Sequence, residues 1–232
     1  MSIFEGVYSA PIVDPWKTLM ARLSRLGNAV PEEVDMGYHL CYGSMNNRHW
    51  KEPDDLGMCI KVANELKKLE SLCSMPLKKN NVRRLVGFQT NIIVPTPLLD
   101  SLGSPAYNFH PGPPTYPGSH PASFAIYNRA RRFGVTAHQM ESRIDSGSIV
   151  GVNWFDIDPK MNYLELEWLA STNLISLFNE LSSALIRTEN LMPVVDVQWS
   201  GRKTTNLMFS QMRKIDSSMD EAEVRLRWRA FG

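Results

Sequence analysis

The chain has 232 residues, with 25 basic against 24 acidic side chains and 43% apolar residues. This length fits one large domain or two small ones, and the ordinary apolar and charged fractions exclude disordered, collagenous and low-complexity chains. A net charge of +1 argues against capture of nucleic acid or of an anionic membrane by the whole chain, although a local basic patch is compatible with it.

The three cysteines, at positions 41, 59 and 73, are an odd number, which does not suit a disulfide framework. The N-terminal segment has neither the basic region nor the apolar stretch of an export signal. Nowhere do about 18 apolar residues follow one another, as a membrane-spanning helix requires. The sequence therefore predicts a reduced, cytoplasmic protein that does not span a membrane.

The first third of the chain predicts an α-β-α unit. Apolar residues at helical spacing after an Asp-Pro pair predict a helix over 14–26. Alternating apolar residues predict a strand over 34–42, with His39 and Cys41 on the same face. A proline and two aspartates then predict a second helix over 53–66.

The middle of the chain begins with residues 70–84, which have no clean period and predict a junction. The apolar run 85–94 predicts a buried strand, followed by a short helix over 98–102. After a proline-rich stretch the pattern predicts a helix over 121–133 and a strand over 134–140. His138 lies on this strand, which leads to the turn at Asp145, and is interpreted as a strand-surface residue, with contact to a ligand as the alternative.

The last third predicts a strand over 148–157, a long helix over 163–187 and a final strand over 194–199. Ser218 with Glu221 three residues later forms a capping-box pattern, which predicts the start of a C-terminal helix. Strands alternate with helices along the chain, so the predicted fold class is α/β.

Residues suited to acyl transfer gather in the segment 107–118, which has four prolines and two glycines. Asn108 and His110 are two residues apart, a spacing that aims both side chains to one side of a strand, and Pro111 favours an extended backbone at His110. Asp145 follows in an Asp-Ser-Gly turn. An amide can donate to a developing oxyanion, an imidazole can act as acid or oxyanion stabiliser, and a carboxylate can hold the imidazolium or shuttle a proton.

Three stretches, NFHPGPPTYPG from Asn108, FAIYNRARRFGVTAHQM from Phe124 and IDSGSIV from Ile144, resemble the catalytic half of the folate-dependent formyltransferases. That family includes methionyl-tRNA formyltransferase, glycinamide ribonucleotide transformylase and sugar N-formyltransferases. The resemblance covers about residues 84–232. It implies direct transfer of a formyl group from 10-formyltetrahydrofolate to an amine, without a metal, and places Asn108, His110 and Asp145 at the catalytic positions.

The same resemblance implies where the folate donor, a one-carbon carrier, would bind. Leu85-Val86-Gly87-Phe88 is similar to the family's segment leading into the pterin pocket, and the family also uses backbone near Asp145. The implied cofactor-binding residues are therefore Gly87, Phe88, Ile144 and Asp145. The His-Pro-Gly-Pro-Pro sequence departs from the family's commoner pattern and leaves the identity of the amine acceptor open. The sequence does not indicate the oligomeric state.

The N-terminal part lacks the glycine-containing loop that binds the acceptor in this family. Residues 21–68 instead resemble a stretch of cobalamin-independent methionine synthase-like barrels, in which a His-x-Cys pair ligates zinc. His39 and Cys41 match that pair, but a closed zinc site needs four ligands. The sequence thus predicts a fusion of a methionine synthase-like βα fragment of barrel origin, 1–75, with a formyltransferase-like half-domain, 76–232, that carries a partial Rossmann-like sheet flanked by helices.

Two functions follow from these patterns. The first is a formyltransferase acting on a small-molecule amine, with 10-formyltetrahydrofolate as donor, no metal, and no membrane or nucleic-acid partner. The alternative is a non-catalytic hybrid remnant, in which the folate site is kept or decayed and the acceptor site is lost. The N-terminal strand would then only cover an otherwise exposed sheet edge. Docking of the strand 34–42 beside the strand 85–94 in one parallel sheet, with a pocket between them, would distinguish the two.

Overall fold

The computed structural model describes residues 37–42, 60–63, 65–74, 83–187 and 191–232. Within them, six strands form one sheet flanked by six helices. The strands are β1 (Gly37–Tyr42), β2 (Ile60–Ala63), β3 (Arg83–Phe88), β4 (Tyr107–His110), β5 (Arg132–Gln139) and β6 (Ile149–Asp156). The helices are α1 (Leu66–Ser74), α2 (Thr96–Ser101), α3 (Pro121–Tyr127), α4 (Tyr163–Arg187), α5 (Asn206–Met212) and α6 (Glu221–Phe231).

The sheet has the strand order β2-β1-β3-β4-β5-β6. Strands β2, β1, β3 and β4 are parallel, whereas β5 runs antiparallel to β4 and β6 antiparallel to β5. The carboxyl ends of the parallel strands therefore meet at one edge, the place where open α/β sheets bind ligands. The fold class predicted from the sequence, an α/β sheet flanked by helices, is confirmed.

Strand β1 pairs in parallel with β3, with Cys41 opposite Gly87 and Tyr42 opposite Phe88. The predicted strand over 34–42 is thus present from Gly37 onward. This pairing continues the sheet beyond β3, and β2 extends it by one further strand. Strands from both predicted parts of the chain therefore belong to one parallel array.

Aromatic side chains fill the main core between the sheet and α4. Phe178 meets Phe109 at a centroid distance of 5.2 Å and Phe88 at 6.1 Å, both edge to face. Helix α4 buries a stripe at four-residue spacing, which is the period of one helix face. The members of this stripe are Leu166, Ala170, Leu174 and Phe178. This packing anchors β3 and β4, the strands that carry the predicted site.

The second predicted helix is wrong over its last residues. Residues Ile60–Ala63 form β2, because the β-branched side chains suit a strand and β1 offers a parallel partner. The helix begins at Leu66 instead and continues to Ser74, into the segment predicted as a junction. The predicted helix over 14–26 and residues 53–59 lie outside the described residues.

Three further boundaries differ from the predictions. Strand β3 ends at Phe88, well before position 94, because Gln89 has a left-handed φ of 48°. Helix α3 ends at Tyr127, shortly before Arg129, which has a φ of 54°. Strand β5 therefore starts earlier than predicted, at Arg132. A residue in this region of backbone space cannot continue either regular element.

The predicted strand over 194–199 has no ladder, although the Val195 amide donates to the Ile149 carbonyl at 2.9 Å. Helix α6 is capped by Asp220, whose side chain accepts a hydrogen bond from the Glu223 amide, and not by Ser218. Asp220 is one position before the helix, where the side chain reaches the third amide. In the described part of the chain, no helix is long and apolar enough to cross a membrane.

Candidate active site

Strands β4 and β5 bring four polar side chains to one face of the sheet. Asn108 and His110 alternate with Tyr107 and Phe109, which are buried in the core. In the antiparallel register, Asn108 lies opposite His138 and His110 opposite Thr136. Asn108 and His110 therefore lie on one side of the strand, as their two-residue spacing predicted. Strand β5 adds a second imidazole, that of His138.

Asp145 is brought to these side chains by the turn between β5 and β6. Its Oδ2 lies 3.6 Å from Nδ1 of His110, and its Oδ1 lies 3.3 Å from Nε2 of His138. The Gly118 amide donates a 2.7 Å hydrogen bond to Oδ2. Asp145 has a left-handed φ of 43°, a strained backbone that folded proteins tend to keep at functional positions.

Backbone carbonyls determine which nitrogen of each imidazole carries a proton. Nε2 of His110 lies 3.1 Å from the Tyr116 carbonyl, and Nδ1 of His138 lies 2.8 Å from the Gln139 carbonyl. A carbonyl only accepts, so each of these nitrogens donates. Nε2 of His138 lies 3.2 Å from Nδ2 of Asn108 and 3.3 Å from Oδ1 of Asp145, so it accepts from the amide when it carries no proton and donates to the carboxylate when it carries one.

Burial and neighbouring charges shift the pKa values of His110 and Asp145 in opposite directions. Burial lowers the pKa of the His110 imidazole, and the Asp145 carboxylate only partly counteracts it. For Asp145, burial would raise the pKa, but the charges of His110 and His138, with hydrogen bonds from His138 and the Gly118 amide, hold it well below the usual range. Asp145 is therefore ionised and His110 neutral near pH 7.

The segment 199–204, which we call the strap, covers the cluster. The Trp199 ring lies edge-on to both imidazoles, with centroids 6.0 Å from His110 and 5.0 Å from His138, and its Nε1 donates to the Gly147 carbonyl at 2.9 Å. At the other end of the strap, Thr204 bonds Pro117 and Ser119 on the loop that follows His110. The strap thus ties the proline-rich loop to the Asp145 turn.

Two glycines give the site the space it needs. A Cβ at Gly147 would come within 2.0 Å of the Gln139 carbonyl, so no side chain fits in the Asp-Ser-Gly turn. A Cβ at Gly87 would come within 2.6 Å of Oδ1 of Asn108 and 2.7 Å of Cε of Met140. Gly87 lies opposite Asn108 in the β3–β4 register, which explains this close approach.

A cavity of about 330 Å³ opens beside the segment that leads to Asp145. Its walls come from α2, from the residues before β4 and from residues 139–142 at the end of β5. The residues that line it include Leu99, Asp100, Ala106, Met140 and Glu141. The volume lies at the lower end of the range of small-molecule pockets, roughly 300 to 1,000 Å³.

The residues predicted to bind the folate lie in different surroundings. Gly87 lies beside Asn108, as described above. The Phe88 side chain is buried in the core, stacked at 5.9 Å on Phe109, so only its backbone faces the strand end. Ile144 is 49% exposed, and its carbonyl accepts a hydrogen bond from Lys203 of the strap.

The weak zinc candidates His39 and Cys41 lie on β1, opposite Leu85 and Gly87, and their side chains are outside the described residues. Cys73 is buried on α1. In the part of the chain that the structure describes, no three His, Cys, Asp or Glu side chains are grouped as metal ligands. The observed geometry around Asp145 is a hydrogen-bonded cluster.

Sequence reasoning missed two members of the site. His138 is 3% exposed and contacts Asp145, so its interpretation as a strand-surface residue is wrong. Its two-residue spacing from Thr136, on the strand leading to the turn, was the available signal. Trp199 carried no such signal, because the strap reaches the site from a segment more than 50 positions further along the chain.

Residues 74–168 match the family model described as formyl transferase. No curated protein matches the chain. A sugar N-formyltransferase from Shewanella sp. has the same fold, with a TM-score of 0.65 and 18% identity over 92% of this chain and 82% of that one. An N-formyltransferase from Helicobacter canadensis, in complex with folinic acid and dTDP-3-aminofucose, has a TM-score of 0.60 and 17% identity over 85% and 80%.

HypX from Aquifex aeolicus, in complex with tetrahydrofolic acid, has a TM-score of 0.58 and 14% identity over 82% of this chain and 33% of its own. Together these matches support a formyltransferase family. The Shewanella match covers 92% of this chain, so the likeness in fold extends beyond residues 84–232. The resemblance of residues 21–68 to methionine synthase-like barrels finds no support in these comparisons.

Proposed function

We propose that this protein transfers a formyl group from 10-formyltetrahydrofolate to the amine of a small molecule. The observation that carries the proposal is the Asp145 carboxylate held between His110 and His138, with Asn108 beside them. The match of residues 74–168 to the formyl transferase model supports it, as do solved structures of the same fold that contain folate compounds.

The cavity of about 330 Å³ suits the donor's pterin ring. It combines apolar walls with polar groups and lies against the segment 139–142, so that a ring bound there has its reactive end near Asp145. Met140, which lines this cavity, also packs against Gly87. A metal has no part in this arrangement, because the charges that develop can be met by the amide, the imidazoles and the carboxylate.

Asn108 is equipped to orient both reactants. One N–H of its Nδ2 faces His138, which leaves the second N–H for the oxygen of the formyl group as it becomes negative. Its Oδ1 is buried and has no hydrogen-bond partner among the described residues, which is costly unless a ligand supplies a donor. An N–H of the attacking amine is such a donor.

His110 and Asp145 handle the charge and the proton. Attack forms a bond from the amine nitrogen to the formyl carbon, and collapse breaks the bond from that carbon to N10 of the folate. One proton leaves the amine and one is gained by N10, so the transfer is balanced overall. Asp145 can relay the proton of the amine to His110, and across the 3.6 Å contact it stabilises the resulting imidazolium until the proton passes to N10.

Two measurements test the proposal with the full chain. Calorimetry with the stable 5-formyl analogue, at concentrations up to about 1 mM, should show binding. Incubation with 10-formyltetrahydrofolate and a panel of amines, including nucleotide-linked amino sugars, should yield a product heavier by one formyl group in mass spectrometry. His110→Ala should reduce the rate at least about 100-fold, whereas Asn173→Ala, on α4 away from the cluster, should not.

The same measurements distinguish the proposed activity from the non-catalytic alternative. A folded chain that binds the folate analogue but formylates no amine would favour the remnant, in which only the donor side is kept. Absence of binding by a folded chain would reject both the donor site and the proposed activity. Contrary to the expectation from the sequence, the parallel docking of β1 beside β3 does not by itself distinguish the two functions, since it covers the edge of β3 in both cases.

A further inference from the structure

A second cavity, of about 460 Å³, lies at the end of β5 that is remote from the candidate active site. It is bordered by the end of α3, the start of β5, the end of β6 and by α6. Arg131 comes directly before β5, and His138 follows seven residues later, about 23 Å further along an extended strand. The cavity is therefore separate from the Asp145 cluster.

Four arginines surround this cavity. Arg129 and Arg131 come from the connection between α3 and β5, and Arg225 and Arg229 from α6. The nearby carboxylates are Asp158, which lines the cavity and accepts from the Lys160 amide, and Glu221, which is paired with Arg225. An excess of two positive charges remains.

The two arginines of the α3–β5 connection have no carboxylate partner in the described part of the chain. Both Arg129 and Arg131 are exposed, and the ion pairs of this region involve α6 alone. Guanidinium groups that converge without counter-charges repel one another, and a bound anion relieves that repulsion. The uncompensated charge thus lies on the α3–β5 connection.

Arg229 points to the same kind of ligand. Its Nη1 donates to the Pro159 carbonyl at 2.8 Å, but its Nε is buried and has no hydrogen-bond partner in the part of the chain that the structure describes. A buried N–H without an acceptor is costly, and an oxygen of a bound anion would satisfy it. The floor of the cavity is apolar, because Ile126 and Ile157 are buried beneath the arginines.

We propose that this cavity binds a phosphorylated organic small molecule. The arginines would hold the phosphate groups through charge-assisted hydrogen bonds, and the apolar floor would take the attached ring. A nucleoside diphosphate combines these two features and serves as the probe, with inorganic pyrophosphate as the probe that lacks the ring. This site is independent of the formyl-transfer chemistry proposed above.

The test is isothermal titration of the full chain with ADP and with pyrophosphate. Arg129→Gln/Arg131→Gln removes two exposed charges from the cavity and keeps the side-chain length. Arg213→Gln/Lys214→Gln removes two exposed charges between α5 and α6, outside the cavity, and is the matched control. Circular dichroism and the melting temperature verify that each variant folds, and Arg131→Gln alone replaces the double variant if it does not.

We expect the control variant to bind each probe with the same affinity as the wild type. Both proteins should bind ADP about threefold or more tighter than pyrophosphate. The cavity variant should bind both probes about tenfold more weakly, or about threefold for the single substitution. Equal affinity of the cavity variant and the control would place binding elsewhere and overturn the site. Absence of binding to wild type at about 5 mM, or no preference for ADP, would equally reject a site for a phosphorylated organic molecule.

Discussion

Nε2 of His138 lies 3.3 Å from Oδ1 of Asp145, and both side chains are 4% exposed. Because Oδ2 of the same carboxylate faces His110, one buried anion is shared by two imidazoles. A single catalytic pair of histidine and aspartate, as the sequence indicates, would leave one carboxylate oxygen without a partner. Nε2 of the second imidazole contacts that oxygen and also lies 3.2 Å from Nδ2 of Asn108.

Replacing the carboxylate tests its contribution to folding. The pKa of Asp145 is held below its unfolded value, so its stabilising effect is fully present above about pH 4 and is lost as the pH falls further toward the folded-state value. Asp145→Asn should lower the free energy of unfolding by about 2 kcal/mol at pH 7. Urea unfolding from pH 7 to pH 2 should show this difference shrinking below about pH 4.

The control for that series is Asp196→Asn, since the Asp196 side chain is exposed whereas that of Asp145 is buried. It should leave the free energy of unfolding unchanged at every pH. A loss at pH 7 that is equal in the two variants would show that the buried carboxylate contributes nothing specific.

The titration of His110 is a second prediction. Burial lowers its pKa, so the folded state resists protonation of His110 and stability declines as the pH falls below about 6.5. NMR titration of the imidazole should give a value below that of a free histidine. In Asp145→Asn the value should fall further, because the carboxylate that favours the imidazolium is gone. An increase in that variant would contradict the assigned role of Asp145.

Gly87 is predicted to be intolerant of even one methyl group. In Gly87→Ala the new Cβ would lie 2.6 Å from Oδ1 of Asn108 and 2.7 Å from Cε of Met140, so both side chains must move. We expect a loss of about 1 to 3 kcal/mol in urea unfolding and weaker binding of 5-formyltetrahydrofolate. In the background of Asn108→Ala the stability loss should be smaller, and an unchanged loss would exclude the clash with Asn108 as its cause.

Trp199 is predicted to hold the two imidazoles in place through its ring. Trp199→Phe loses only the hydrogen bond to Gly147 and should cost about 1 kcal/mol, whereas Trp199→Ala also loses the ring and should cost about 3 kcal/mol. In NMR spectra the imidazole signals of His110 and His138 should shift more in the alanine variant, because the aromatic ring beside them disappears.

A matched control exists on α4, where Trp168 is 57% exposed. Trp168→Ala should change neither the stability by more than about 0.5 kcal/mol nor the imidazole signals. If both tryptophan variants moved the His110 and His138 signals alike, the specific contact with Trp199 would lose its support.

Local patterns in the sequence were sufficient for the elements whose neighbours in space are also neighbours in the chain. The long helix over 163–187 was predicted to the residue, because its apolar stripe repeats over many turns. Asn108 and His110 were placed correctly on one face, because a strand's two-residue period depends on nothing outside the strand. The element boundaries at Gln89, Arg129 and Asp220 were not predicted correctly. Positive φ values and helix caps depend on how the neighbouring segments pack, which local patterns do not contain.

The amino-acid sequence by itself determined which residue types could carry acyl-transfer chemistry, and where along the chain they stand. Only the tertiary structure decided that His138 shares the Asp145 carboxylate and that Trp199 closes over both imidazoles. The pairing of β1 with β3 and the strand conformation of residues 60–63 likewise depend on the tertiary structure. The physical reason is the same in each case: these are contacts between distant segments, and their energy exists only once the sheet has formed.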